Sequence, residues 1–205
     1  MAEKKGSNTP NHDVKHFNHW ASTYEQSFMQ QLYFGVVHKK MLEVLANVGV
    51  KEPKYILDVG CGTGRFLRNI ANKWPEAQLF GVDPAELMIS EATRLNPRAT
   101  FQVGFAESLP MADQYADIIV SSLSFHHWVD QKKGIQEIAR VLKPGGLFCL
   151  ADHNFQLFNI FGENVKSRKE VRALMFNAGM VVQSQHGLGV RFVLITLAQK
   201  NLGFK

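Results

Sequence analysis

Three glycines at alternate positions follow a short apolar run that contains an acid. The run covers residues 55–59 with Asp58 near its end, and the glycines are Gly60, Gly62 and Gly64. Glycine lets a backbone turn tightly and approach a ligand, because it has no Cβ. The segment that follows is helical in pattern, and a helix start offers free N–H groups to an anionic or polar group. This arrangement predicts a ligand-binding turn, with an ordinary strand-to-helix turn as the alternative.

A second carboxylate ends the next apolar run. Asp83 lies 23 residues after Gly60, and we expect Pro84 to be the first residue of the following helix. A carboxylate at such a strand end can accept hydrogen bonds from both hydroxyls of a ribose; the alternative is that Asp83 only caps the helix. A dinucleotide fingerprint, G-x-G-x-x-G, does not fit, because its last glycine would fall at Arg65 or Leu67.

The elements that must position these residues are short apolar runs alternating with amphipathic segments. The runs are near-continuously apolar, which is typical of strands buried on both faces of a parallel sheet. We expect strands at 55–59, 78–83, 100–104, 116–121 and 147–151, and helices at 65–73, 85–95 and 131–142. Ser167 and Glu170 form a capping-box pattern that opens the last helix. Two closing strands, 181–184 and 192–198, have a link suited to an antiparallel pair. The pattern predicts one α/β domain.

The chain before this domain differs in character. Residues 1–11 are predicted to form a polar tail, and residues 12–50 a helical segment with a break near Phe34 and Gly35. The main domain is predicted to span residues 51–205, and all three parts form one structural domain.

Composition excludes several classes of protein. Lys and Arg total 23 against 18 Asp and Glu, and this surplus of +5 is scattered, so no nucleic-acid-binding stripe is expected. No apolar run approaches the ~18 residues of a membrane span, and the polar start lacks a signal-peptide pattern. Cys61 and Cys149 are too few for a disulfide framework and fit a reducing compartment. We therefore expect a cytoplasmic protein.

Taken together, the motifs resemble those of class I S-adenosylmethionine (SAM) methyltransferases. Residues 58–64 and Asp83 resemble the family's first two motifs, and the resemblance continues through 104–110, 115–128 and 138–148. In detail the chain is most similar to the small-molecule branch that includes the ubiquinone/menaquinone C-methyltransferases. The resemblance implies a doubly wound, mostly parallel seven-stranded sheet of order 3-2-1-4-5-7-6, with strand 7 antiparallel and helices on both sides. It also implies an N-terminal helical lid over a SAM molecule bound across strands 1 to 4.

The resemblance also implies the residues of the SAM site. Carried over position by position, they are Tyr24, Asp58, Gly60, Cys61, Gly62, Gly64, Asp83, Pro84, Met88, Ala106, Glu107 and Ser122. The glycines would border the methionine part, Asp83 would hold the ribose, and Leu87 or Met88 would pack on the adenine. Relatives often have Asp or Asn where this chain has Phe105, so recognition of the adenine amine by that side chain is in question.

The lid is represented by residues 17–24. Trp20 and Tyr24 are four residues apart and therefore share one face of a helix. Either ring could lie near the sulfonium, since an aromatic face attracts a cation by ~0.5–2 kcal/mol. The alternative is an amphipathic helix that packs on the sheet through the same residues.

Histidines offer the remaining chemistry. His126 and His127 follow the fourth strand, at the edge where methyl acceptors bind in this architecture, and either could act as a base. The alternative is that they shape the pocket against Trp128. Asp152 and His153 end the fifth strand and are secondary candidates. Three further histidines at helical spacing could bind a metal, but no acidic or thiol ligand accompanies them, so no metal site is expected: His12, His16 and His19.

These features predict in-line, metal-independent methyl transfer from SAM to a small molecule by a monomer or homodimer. The short segment 154–166 leaves no room for a large substrate-binding insertion. Its phenylalanines and those near the lid suit an aromatic or apolar acceptor, although they could instead fill the core: Phe28, Tyr33, Phe34, Phe155, Phe158 and Phe161. A SAM-binding partner protein without catalysis is the alternative, and the glycine spacing disfavours a nicotinamide-dependent dehydrogenase.

Overall fold

The computed structural model describes residue 14 and residues 28–50, 52–154, 164–189 and 192–203. Their helices and strands alternate along most of the chain. The helices are α1 (Phe28–Asn47), α2 (Arg65–Lys73), α3 (Glu86–Leu95), α4 (Gln131–Val141) and α5 (Arg168–Asn177), with a 3₁₀ turn at Phe125–His127. The strands are β1 (Tyr55–Val59), β2 (Gln78–Asp83), β3 (Ala99–Val103), β4 (Ala116–Ser122), β5 (Leu142–His153), β6 (Met180–Leu188) and β7 (Val193–Lys200).

The strands form one seven-stranded sheet in the order β3-β2-β1-β4-β5-β7-β6. Strands β1 to β5 pair in parallel, and β7 runs antiparallel to both β5 and β6. The predicted order and the direction of strand 7 are therefore confirmed. Asp58 is paired with Gly81 on one side and with Val120 on the other, so β1, β2 and β4 end at the same edge.

Both faces of the sheet are covered, as near-continuous apolar strands require. On one face α4 contributes Ile135 and Ile138, which pack with Phe148 of β5 in one apolar cluster. On the other face Met41 of α1 and Ile70 of α2 pack with the alternate residues of the same strands. These two layers hold the sheet edge that carries the candidate site.

Two local predictions were wrong. Helix α1 runs unbroken through Phe34 and Gly35, because buried Val37 and Met41 fix its face and an interior glycine costs only about 1 kcal/mol. Pro84 is not the first helical residue, since α3 begins at Glu86.

Other local predictions are confirmed. Ser167 and Glu170 form both hydrogen bonds of a capping box at the start of α5, and β6 and β7 form the expected antiparallel pair. Predictions for Trp20, Tyr24 and the three N-terminal histidines fall outside the described residues. Within the part of the chain that the structure describes, no helix is both long and apolar enough to cross a membrane.

Candidate active site

A cleft lies at the sheet edge where β1, β2 and β4 end. It contains about 1300 Å³ not filled by protein atoms, including open space at its mouth. Most residues of the predicted SAM site line it: Asp58, Gly60, Cys61, Gly62, Asp83, Pro84, Met88, Ala106, Glu107 and Ser122. Gly64 is not among the lining residues, and Tyr24 lies outside the described residues.

The glycine turn is held against the end of β2. The backbone N–H groups of Gly60 and Cys61 both donate to the carbonyl of Val82, at 2.8 and 3.1 Å. Gly60, Gly62 and Gly64 all have left-handed backbone angles, with φ of 74°, 51° and 72°. All three positions therefore favour glycine through the backbone alone.

The three glycines differ in what a side chain would meet. A Cβ at Gly60 would lie 2.2 Å from the hydroxyl oxygen of Ser124, and one at Gly64 would lie 2.7 Å from the ring of Phe101. A Cβ at Gly62 would have no atom within 4 Å. Gly60 and Gly64 are thus required by packing as well as by φ, whereas Gly62 faces open space at the cleft.

Asp83 joins the glycine turn to the start of α3. Its two carboxylate oxygens accept hydrogen bonds from the backbone N–H groups of Gly62 and Ala85, each at 2.9 Å. Burial raises the pKa of this carboxyl group, and the two N–H donors oppose that rise. Each oxygen keeps a lone pair for a further donor, so the carboxylate is fixed in place and still able to bind ligand hydroxyls.

Two polar groups in the cleft lack partners among the described residues. Asp58, only 2% exposed, has no hydrogen bond to Oδ1, and the hydroxyl of Ser122 has none either. Burial, and next the charge of Asp83, raises the pKa of Asp58 to about 8. A buried polar group without a partner is costly, so these atoms suit a ligand that brings a positively charged donor such as an ammonium group.

The side of the cleft near α3 is apolar. Met88 is buried and lines it, whereas Leu87 is 54% exposed and is not among the lining residues. Ala106 is buried there, and Phe105, 46% exposed, lies at the rim. The carboxylate of Glu107 accepts a hydrogen bond from the N–H of Asp130 at 3.0 Å. Met88, Phe105 and Ala106 thus give this side of the cleft an apolar lining.

Residues of α1 and α2 form a wall that the sequence did not reveal. Phe34, His38, Arg65 and Phe66 all line the cleft. The His38 ring stacks on the Phe66 ring at a centroid distance of 4.4 Å, and the Arg65 guanidinium lies 5.6 Å from the centre of the Phe34 ring. The spacing of Phe34 and His38, four residues apart, is a signal for one helix face that the predicted break at Phe34 obscured.

Four candidate residues at the ends of β4 and β5 lie close together, although only His127 lines the cleft: His126, His127, Asp152 and His153. His127 is exposed and lines the cleft. His126 is buried, and its Nδ1 lies 2.6 Å from Oδ1 of Asp152; its ring is 4.0 Å from that of His127 and 5.0 Å from that of His153. Burial, followed by the neighbouring charge of His126, lowers the pKa of His153 to about 4.

Leu123 and Ser124 were not predicted as site residues. Leu123 has a left-handed φ of 55°, a strained conformation that is often found near functional sites. The hydroxyl of Ser124 donates to the carbonyl of Val59 at 3.1 Å. These residues connect the ends of β4 and β1, so they fix the width of the cleft between the glycine turn and the histidines.

Comparison with known proteins identifies a family and relatives that this chain resembles. The family described as a methyltransferase domain matches residues 57–150. The malonyl-(acyl-carrier protein) O-methyltransferase of Xylella fastidiosa is 34% identical over 140 residues, which are 66% of this chain and 46% of that protein. The demethylmenaquinone methyltransferase of Chlorobaculum parvum is 40% identical over 98 residues, 48% of this chain and 40% of that protein. The matches span less than half the length of these curated relatives.

Solved structures share the fold. A chain in the complex of the Haloferax volcanii Trm112 methyltransferase activator with a methyltransferase has a TM-score of 0.75 and 22% identity, covering 90% of this chain and 97% of that one. A SAM-dependent methyltransferase from Aquifex aeolicus has a TM-score of 0.68 and 23% identity, covering 78% of this chain and 88% of that one. The seven-stranded arrangement is thus that of the methyltransferase fold.

The different surroundings of two glycines can be tested by alanine substitution. Gly60→Ala and Gly62→Ala share the strain of a left-handed φ, about 1–2 kcal/mol. Gly60→Ala should lose about 1–3 kcal/mol more, because its methyl group would overlap Ser124. Denaturant unfolding measures the difference, and equal losses for the two variants would show that the Ser124 contact is not tight.

The raised pKa of Asp58 has a consequence for stability. Between the unfolded pKa, about 4, and the folded pKa, about 8, the folded chain holds a proton that the unfolded chain has lost. Asp58 therefore makes the free energy of unfolding fall as pH rises through this window, by up to ~1.4 kcal/mol per unit.

The variant Asp58→Asn removes this titration. Denaturant unfolding is measured from about pH 5 to about pH 8, within this window. The free energy of unfolding should depend less on pH in Asp58→Asn than in the native chain. Glu52→Gln, at an exposed position, is the control and should keep the native dependence. Parallel curves for Asp58→Asn and the native chain would contradict the assignment.

Proposed function

We propose that the chain is a class I SAM-dependent methyltransferase and that it transfers the methyl group of SAM to a small organic acceptor. The observation that carries this proposal is the hydrogen bond of 2.9 Å between the Gly62 N–H and the Asp83 carboxylate. It joins the glycine turn and the ribose-type carboxylate in one cleft. The names of the curated relatives, which are methyltransferases of small molecules or carrier-bound groups, support the same reaction class.

We place SAM along the cleft in three parts. Asp83 accepts hydrogen bonds from the ribose hydroxyls, and Met88 packs against the adenine, with Phe105 covering its outer face. The amino group of the methionine part donates to Oδ1 of Asp58 and to the hydroxyl of Ser122, two atoms without another hydrogen-bond partner among the described residues. Gly62 is where the cofactor approaches the backbone, since the space beyond its Cα is open.

The methyl group of SAM is already activated by the positive sulfur, so the displacement at carbon requires alignment and exclusion of water. Holding two reactants in line contributes up to about 7–11 kcal/mol in intramolecular models, and a closed site keeps the nucleophile desolvated. We propose that this displacement step is metal-independent, because the leaving thioether is neutral and needs no counter-charge.

We propose an aromatic or apolar acceptor on the side of His127. The walls of the cleft include Phe34, Phe66 and Trp128, whose rings suit a flat or apolar molecule. His127 is the histidine that both lines the cleft and is exposed, so it is placed to deprotonate the acceptor. A SAM-binding partner protein without catalysis is not favoured, because the named relatives are enzymes.

We also propose a cytoplasmic location. Both cysteines are free thiols buried in the fold. Burial raises the pKa of Cys149 to about 12 and raises that of Cys61 as well, so both stay protonated. Such thiols persist most readily in a reducing compartment.

The proposed reaction is tested by two measurements on the purified chain. Thermal unfolding should shift upward with S-adenosylhomocysteine and remain unchanged with NAD. Incubation with SAM labelled in the methyl group and a panel of aromatic and apolar metabolites should then yield labelled product. Stabilisation by NAD alone, or SAM binding without product from any acceptor class, would contradict the proposal.

The ribose role of Asp83 predicts a loss of SAM affinity in Asp83→Ala. Hydrogen bonds to a charged group contribute about 1.5–3 kcal/mol, so calorimetry should show binding weakened roughly 10- to 100-fold. Asp117→Ala is the matched control, because Asp117 also accepts from two backbone N–H groups, those of Lys54 and Tyr55, but at the opposite edge of the sheet. An equal loss in both variants would refute the ribose role.

The acceptor role of His127 predicts a separation of binding from turnover. His127→Ala should keep SAM affinity, because the residue lies on the acceptor side, and should lower the turnover rate by about 100-fold or more, the usual contribution of a general base. Unchanged turnover in His127→Ala would exclude this role.

A further inference from the structure

Three metal-ligating side chains meet beside the ends of β4 and β5. His126 lies in the 3₁₀ turn after β4, and Asp152 and His153 are the last two residues of β5. One ligand atom from each lies within 4.8 Å of the others. We infer that this cluster binds a divalent transition-metal ion, with zinc as the ion of first choice.

The topology explains why residues so distant in sequence come together. Strands β4 and β5 are parallel neighbours, with Ser122 paired to Ala151, so both strands end at the same edge of the sheet. The turn that follows β4 then brings His126 to Asp152, with 2.6 Å between Nδ1 and Oδ1. Two adjacent strands of the sheet therefore position the cluster, and a short hydrogen bond joins His126 to Asp152.

The burial of this cluster favours a positive charge that compensates the carboxylate of Asp152. His126 and Asp152 are each only 6% exposed, and Phe125, Leu150 and Val171 line the small cavity beside Asp152 and His153. A buried carboxylate is costly unless it is paired or coordinates a metal. Oδ1 of Asp152 accepts from His126 and from the backbone N–H of His153, two interactions that hold the carboxylate in one orientation.

The donor set indicates the kind of ion. Two imidazoles with one carboxylate suit zinc, cobalt or iron, whereas magnesium and calcium prefer sites made of oxygen alone. Tetrahedral ligands at about 2.0–2.2 Å from zinc are roughly 3.4 Å apart. His126 Nδ1 and Asp152 Oδ1, 2.6 Å apart, must therefore separate slightly, and any pair near the 4.8 Å limit must close. Three protein ligands leave a fourth position open, as in catalytic rather than structural zinc sites.

The cluster adjoins the acceptor side of the cleft. The ring of His126 is 4.0 Å from that of His127, which lines the cleft, and Lys166 lines the small cavity beside Asp152. One carboxylate leaves a bound dication with a positive charge, which favours an oxygen anion in the open position. Any influence of the ion on the acceptor through His127 rests on the proposed function, but binding of the ion does not.

The inference differs from the expectation of no metal site drawn from the sequence. The sequence suggested a metal site only where histidines lie close together along the chain, at His12, His16 and His19. His126 is 26 residues from Asp152, so the sequence did not indicate that they meet. The N-terminal histidines are a competing place for added metal. The test therefore uses a chain with all three changed to glutamine as its starting protein.

The test is a calorimetric titration of this starting protein with zinc chloride, without SAM. We expect saturable binding of one zinc ion per chain. His153→Gln should lower the zinc affinity at least about 10- to 100-fold, because mutation of residues that only hydrogen-bond to metal ligands already lowers affinity by that factor. His153→Asp should recover part of the affinity. His186→Gln, at an exposed position in β6, should bind zinc as the starting protein does.

Circular dichroism and thermal unfolding before zinc is added establish that each variant is folded. The inference is overturned if the starting protein shows no saturable binding, if His153→Gln binds zinc as tightly, or if Cys61→Ser or Cys149→Ser abolishes binding. Affinity for S-adenosylhomocysteine, measured on the same samples, keeps the two proposals apart. Cofactor binding without zinc binding overturns this inference alone, and the reverse result overturns the proposed function alone.

Discussion

The cleft depends on bringing two acids to the ends of adjacent strands with little solvent around them. Asp58 of β1 and Asp83 of β2 both line the cleft, and burial, followed by the charge of Asp83, raises the pKa of Asp58 to about 8. The backbone N–H of Gly62 partly offsets the charge of Asp83 and at the same time fixes the glycine turn. A ligand with a cationic group and hydroxyls stabilises both acids, and this arrangement explains the rest of the cleft.

The sheet divides the site into two halves with different chemistry. The ends of β1 and β2 present backbone, carboxylates and an apolar wall, which suit a nucleoside joined to an amino acid. The ends of β4 and β5 present imidazoles and a buried carboxylate, which suit an acceptor that must lose a proton. Ser124 connects the halves, since its hydroxyl bonds to Val59 of β1 and lies against Gly60. The two halves of the site therefore keep a fixed separation.

Much of this arrangement could be predicted from sequence, because it follows from local patterns. Continuous apolar strands predict a covered parallel sheet, and the resemblance to a family supplies its strand order. The glycines and Asp83 were found from their spacing. The distinct roles of Gly60 and Gly62 were not, since they depend on whether Ser124 or open space faces each Cα. The pairing of His126 with Asp152 was also beyond reach, because it depends on how two strands end.

The most direct measurement of the central claim is a crystal structure of the chain with S-adenosylhomocysteine. We expect the ribose hydroxyls within hydrogen-bond distance of Asp83, about 2.5–3.0 Å. We also expect the amino group beside Asp58 and Ser122, and the adenine against Met88. Density for the nucleoside elsewhere on the molecule, or a ribose that turns away from Asp83, would contradict the proposed cofactor site.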